Sequence, residues 1–257
     1  MKLGLLNIGI FPKIKKIMVE RLFNKNKTTM NTILIYDESF SGFLSAVYHV
    51  FDKGLKNVSI VKPKHYVPDM FAEGKRIEAN EEHARRVWSS LEVKITKHGA
   101  KEMYKAFLSE IKGTEDVLLQ YIMHVYATES FNYTDLSNVS ALRVSQVARM
   151  VTREMHHIQT YLEFKTTDDD MDVAVLNSNF NMIPLIGNYF KRRYPNKKWL
   201  IYDARRKYAL HFDMEALSQT RLSVEKQSEI LQRSEFKSPL LYVNLQDSVQ
   251  KEYGNAS

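Results

Sequence analysis

Two hydrophobic periods share this chain, and the order in which they alternate decides its fold class. Thr32 to Asp37 (TILIYD) is a β-branched and apolar run that reads as a strand. Ser39 then stands where a helix N-cap belongs, and Phe40, Phe43, Leu44, Val47, Tyr48 and Phe51 recur at helical spacing up to Gly54. A second apolar run, VSIVKP, ends at Pro63, and the polar stretch to about Glu82 reads as loop or short helix. Helical patterns follow. HARRVWSSLEVKITKHGAKEMYKAFLSEI is punctuated by Gly99 and Gly113, and EDVLLQYIMHVYATES is apolar nearly all round and so predicted to be buried. SALRVSQVARMVTREMHHIQTYLEF is the longest periodic segment, with Leu142, Val144, Val147, Met150 and Val151 inward. Past Tyr161 the period falls toward two. LEFKTT and DVAVLN predict two strands joined through Asp168, Asp169 and Asp170, NMIPLIGNYFKRRYP predicts a helix from about Asn181 to just before Pro195, and WLIYDARRKYALHFD predicts two strands around a turn at Asp203 to Lys207. Helices and strands mixed without a strict βαβ repeat predict an α+β fold, a mixed sheet with packed helices in a single main domain.

Composition sets limits on function. With 44% hydrophobic residues over 257 positions the chain can bury a real core. It holds no cysteine, which excludes disulfides, thiolate-held iron–sulfur clusters, cysteine-type zinc fingers and thiol catalysis. No window approaches the roughly 18 uninterrupted apolar residues of a membrane span, so a cytoplasmic protein with no membrane partner is expected. The net charge of +7 is uneven: residues 1–29 carry seven basic residues against Glu20 alone, leaving the remainder at +1. The apolar start is no secretory signal, because Asn7, Pro12 and lysines interrupt it and no small-residue cleavage site follows. Ile14, Ile17, Met18, Leu22 and Phe23 fit one face of a short basic helix, and the whole stretch reads as an appendage dispensable for folding. The expected organisation is a basic extension over 1–29, the α+β domain over 30–216, and a divergent or truncated tail over 217–257 with one apolar run, PLLYVNL.

Three groups of residues can carry chemistry. Glu154 and His157 are three apart near a helix end and can meet on one face, while His156 points about 100° away from His157. A carboxylate beside an imidazole makes a general acid/base pair, and the same residues equally suit capping the last carbonyls. Asp168, Asp169, Asp170 and Asp172 have the ligand type for a hard cation but lack the glycine and distal glutamate of a calcium loop, so a solvated acidic turn fits as well. Arg192 and Arg193, then Arg205, Arg206 and Lys207, are interleaved with Tyr189, Phe190, Tyr194, Trp199 and Tyr202, a pattern that suits phosphates and unstacked bases or a merely charged surface. A glycine-rich phosphate loop, a G-x-S-x-G elbow and an H-E-x-x-H pair are all absent from the sequence.

Two blocks, ILIYDESFSGFLSAVYHVF and VTREMHHIQTYLEFKTT with NMIPLIGNYFKRRYPNKKWLIYDARRKYALHFD, together resemble a bacterial family of DNA-metabolism or DNA-repair proteins. Its members are encoded beside a DNA modification or repair radical SAM protein, and some are fused to a uracil-DNA glycosylase-like domain. The resemblance covers about residues 31–213. It places the family's opening motif on Tyr36, Asp37, Phe40, Gly42 and Phe43, a Glu-x-His-Arg-like element on Glu154 to His157, and a helix-to-strand element on Phe190, Arg193, Trp199, Asp203 and Arg206. His157 stands where the family has Lys or Arg, and the tail after Asp213 lacks its terminal N-P-K and P-x-R-Y-W elements. The resemblance implies a DNA-handling partner of a radical SAM enzyme, acting on single-stranded or damaged DNA and holding no cofactor or metal of its own. Arg192, Arg193, Trp199, Arg205 and Arg206 are then the nucleic-acid contacts. The alternatives are a stand-alone glycosylase or nuclease using Glu154, His156 and Asp203, and a non-catalytic interaction module.

Overall fold

The structure, a computed structural model, describes residues 31–129, 131–167 and 170–233. The basic extension over 1–29, Asp168, Asp169 and the PLLYVNL run lie outside the described residues. The fold is α+β as expected, but with two sheets in place of one, and the chain divides into two compact units, 1–156 and 157–257.

Unit 1 is built on β1 (Asn31–Ile35), α1 (Phe40–Lys53), β2 (Val58–Val61), β3 (Ala72–Arg76), α2 (Glu81–Leu108), α3 (Thr114–Ala127) and most of α4 (Val139–Tyr161). Its sheet is wholly parallel, in the order β2-β1-β3. The Ser39 hydroxyl accepts from Gly42 N at 2.9 Å to start α1, and Gly54, at φ 65°, ends it in the left-handed conformation that glycine takes without steric cost. β3 lies in the stretch expected to be loop or short helix. Its residues AEGKR are exposed from Glu73 to Arg76, so no alternation marks them; only the backbone register Asn31↔Ala72 to Ile35↔Arg76 makes a strand on the sheet edge. α2 breaks at Thr96 (φ 64°, ψ 162°) and not at Gly99, which sits buried where an added Cβ would come to 3.2 Å from both Ile95 Cβ and Tyr133 Cβ. On α4 the side chains of Val144, Val147 and Val151 are buried, whereas Leu142, expected inside, is 39% exposed.

Unit 2 is a five-stranded sheet in chain order: β4 (Lys165–Thr166), β5 (Asp172–Leu176), β6 (Trp199–Asp203), β7 (Tyr208–Phe212) and β8 (Leu217–Thr220). Only β5 and β6 are parallel, joined by α5 (Ile183–Arg193). Trp199, Ile201, Leu210 and Phe212 share one face of the sheet with α5, whose Phe190 meets Trp199 and whose Gly187 approaches Leu210. On the other face Val173, Leu200, Tyr202 and Ala209 pack with Ile230 of α6 (Val224–Arg233). The sheet therefore runs past residue 216: β8 and α6 come from the stretch read as a tail, and α6 covers one face of the core.

Candidate functional site

β1 is the central strand of a parallel sheet, and the loops at the C-terminal ends of such strands are where ligand-binding groups gather. The motif beginning at Tyr36 occupies that corner. Tyr36 is buried and donates its hydroxyl to Glu115 Oε1 at 2.9 Å. Burial first, and the Glu115 carboxylate second, push the phenol far above its ordinary range and hold it as the donor. Lys62, equally buried, places its ammonium 4.0 Å from Glu115 and 3.9 Å from Glu110. Beside them Asp116 Oδ1 accepts from Ile60 N at 3.0 Å, and burial pushes its carboxyl up. This polar network was missed from sequence: Lys62 follows β2 and Glu115 lies in the first turn of α3, and nothing local says that they meet.

The next residues are used differently. Asp37 Oδ1 accepts from Ser39 N at 3.0 Å and from the Ser39 hydroxyl at 2.6 Å, which in turn caps α1. Gly42 leaves room for this arrangement, since a Cβ there would meet the Asp37 carboxylate and displace it from Ser39. Phe43 lies in the core, and Phe40, half-buried, faces a cleft bordered by α2.

In unit 2 the turn after β6 is held by Asp203. Its Oδ1 accepts from Arg205 N at 3.0 Å and Arg206 N at 2.9 Å, and its Oδ2 accepts from Arg206 Nη1 at 3.1 Å. Arg206 also donates to the carbonyls of Ser178 (3.2 Å) and Asn179 (2.9 Å), and Arg205 donates to the Asn179 side chain. Asp203 is 0% exposed with three donors on it, so it anchors a turn; the expected catalytic role needs a carboxylate that water or substrate can reach. Arg206 is likewise spent on its own backbone and not on a phosphate.

Trp199 corrects a second expectation. It is 0% exposed, enclosed by Phe164, Phe190 and Phe212, with its indole N–H buried and unpartnered among the described residues, so it is core and has no face for a base. The basic cluster also divides. α5 leaves the C-terminal end of β5 and returns the chain to the N-terminal end of β6, and its 11 residues span about 16 Å. Arg192 and Arg193 thus lie at one end of the sheet, and Arg205 and Arg206 at the other. At the first end Arg192, Arg193, Lys197 and Lys198 are all exposed. Arg193 stands over Tyr194, 5.7 Å from its centroid, and Lys197 pairs with Asp172 at 3.2 Å. Asp172 also accepts from the Thr166 hydroxyl, so this member of the acidic run is engaged within the fold.

Glu154 is half-buried and His156 exposed at the end of α4 in unit 1, whereas Asp203 belongs to unit 2. His157 packs its ring on Tyr161 one turn along, at 4.8 Å. Among the described residues no three His, Asp or Glu side chains gather as metal ligands, and no helix is long and apolar enough to cross a membrane.

Fold and site together define an α+β chain whose accessible chemistry is aromatic and cationic surface. It belongs to the family described as a domain of unknown function (DUF4130), which matches residues 112–250, more than half of the chain. The match runs through β8 and α6, so most of the expected tail falls inside the family's extent. No curated protein matches the chain.

Proposed function

We propose that this protein handles DNA in repair or modification, as the nucleic-acid-binding partner of a radical SAM enzyme and without turnover of its own. The observation that carries the reading is the exposed run Arg192, Arg193, Lys197 and Lys198 at one end of unit 2, beside the half-buried ring of Tyr194. Four cations within seven residues, of which only Lys197 is in an ion pair among the described residues, form a surface that releases counterions when it meets a phosphate backbone. The radical SAM partnership comes from the resemblance of the two sequence blocks. A chain with no cysteine leaves any thiolate-held cluster to that partner.

The test is a salt titration of single-stranded DNA binding by the Arg192→Ala, Arg193→Ala double variant. Each phosphate contact on a single strand contributes about 0.7 to the slope of log affinity against log salt, so the slope should fall by about 1.4. Folding stability should stay within about 0.5 kcal/mol, because both side chains are exposed. Wild-type affinity at every salt concentration would remove this surface from the reading.

A further inference from the structure

The cleft of unit 1 plays no part in the function proposed above. Phe40, in the first turn of α1, stands edge-on to Trp88, with ring centroids 5.4 Å apart and planes at 81°, and to Tyr104, at 4.8 Å and 61°. In an unbroken helix residues 88 and 104 would lie about 24 Å apart, too far to share one phenyl ring. The break at Thr96 folds the two limbs of α2 so that both reach Phe40. Ser41, Leu44, Glu81, Ala84 and Arg85 complete the lining of a space of about 520 Å³, within the range of small-molecule sites. Phe107 backs the Phe40 ring at 5.0 Å, and Phe43 backs Phe107 at 5.6 Å. The walls are therefore braced by the core before any ligand arrives.

The charge pattern of the lining selects the occupant. Arg86 is taken by Glu82, but Arg85 makes no ion pair among the described residues and lines the cleft with Glu81. One guanidinium and one carboxylate cancel, so three rings with this rim suit neither a quaternary ammonium nor a free anion. They match a neutral planar ring with donors and acceptors along one edge, the carboxylate accepting from an amino group and the guanidinium donating to a carbonyl or ring nitrogen.

We propose that this cleft takes one unstacked nucleobase of a DNA strand, seated against Phe40 between Trp88 and Tyr104, with Glu81 and Arg85 on its polar edge. The inference rests on the nucleic-acid reading for the class of ligand, and adds a base-binding site in unit 1 to the phosphate-binding surface of unit 2. Bases with an exocyclic amine, adenine, cytosine and guanine, present the group that Glu81 accepts.

The experiment perturbs the ligand before the protein. Full-length chain is titrated with a short oligodeoxyadenylate and with the same strand carrying abasic sites throughout, at fixed salt. Affinity is read from the anisotropy of a dye on the strand's end, and occupancy of the cleft from the fluorescence of the chain's two tryptophans, of which Trp88 is half-buried and Trp199 fully enclosed. The intact strand should quench Trp88 and bind roughly 5- to 150-fold more tightly than the abasic one, the range for one stacked base. Trp88→Leu, which keeps an apolar side chain at the wall, should abolish that difference while leaving abasic-strand binding unchanged. Equal affinity for the two strands would overturn the base site and leave the backbone contacts of unit 2 standing. Binding of neither strand would overturn both readings. Quenching by tetramethylammonium but by neither strand would overturn the base site in favour of a cation cage.

Discussion

Each unit carries a parallel strand pair joined by a helix, and the two treat the C-terminal ends of those strands in opposite ways. After β1, Tyr36 turns down to Glu115, Asp37 and Ser39 close the helix end, and the aromatic cleft beside them stays open. After β5 and β6, Arg206 reaches across to Asp203, Ser178 and Asn179, and the corner is shut by the protein's own polar groups. Residue type does not separate the two corners, since both present arginine and carboxylate. What separates them is what is left over: Arg206 has its donors filled from within, and Arg85 lines a space with no ion pair among the described residues. A binding site is recognised by unspent chemistry.

The closed corner should break most severely. Arg206→Ala leaves the Asp203 carboxylate buried without its cation and frees two carbonyls, so a loss of about 3 kcal/mol in denaturant-induced unfolding is expected. Arg205→Ala, on an exposed neighbour, should cost under about 1 kcal/mol by the same measurement. Equal effects at the two positions would show that Arg206 does not lock the corner.

The open corner depends on the break in α2, and there the backbone is strained. Thr96 holds φ 64° and ψ 162°, a region that a β-branched residue enters at a cost of about 1–3 kcal/mol and that glycine occupies freely. Thr96→Gly should therefore raise the thermal midpoint, with a net gain of about 1 kcal/mol after the added freedom of the unfolded chain. A lowered midpoint would mean that the Thr96 hydroxyl, which accepts from Gly99 N at 3.4 Å, matters more than the strain.

The smallest effect concerns the polar network in unit 1. Burial raises the Asp116 carboxyl in the folded state, so its contribution to stability is full below the unfolded value of about 3.9 and is lost as pH rises through the raised folded value. Asp116→Asn removes that loss while keeping an oxygen to accept from Ile60 N. The variant should melt progressively higher than the wild type as pH rises from about 4, and a gap that is flat with pH would show that Asp116 ionises freely.

The sequence by itself determined the elements whose signals are local. β1, α1 with its Ser39 cap and Gly54 stop, α5 ending before Pro195, and the β6–β7 hairpin about Asp203 are all legible, because periodic burial and capping act between residues a few positions apart. The exposed arginines of α5 were legible as a charged run, whereas the motif from Tyr36 to Phe43 was marked out by the family resemblance. Tertiary structure alone decided the rest. β3 and β8 are strands because an edge of sheet offers them backbone partners, and their exposed side chains carry no alternating pattern. Trp199, singled out for its ring, is spent in the core, and one cluster of arginines became two because a helix that joins parallel strands must travel the length of the sheet. Trp88, Tyr104 and Arg85 drew no notice in sequence, for they are ordinary residues of a long helix until the turn at Thr96 carries one limb back to the other. Tyr36 and Glu115 meet across 79 positions, and a contact of that span is set by how the elements pack, which leaves no periodic trace in the residues that make it.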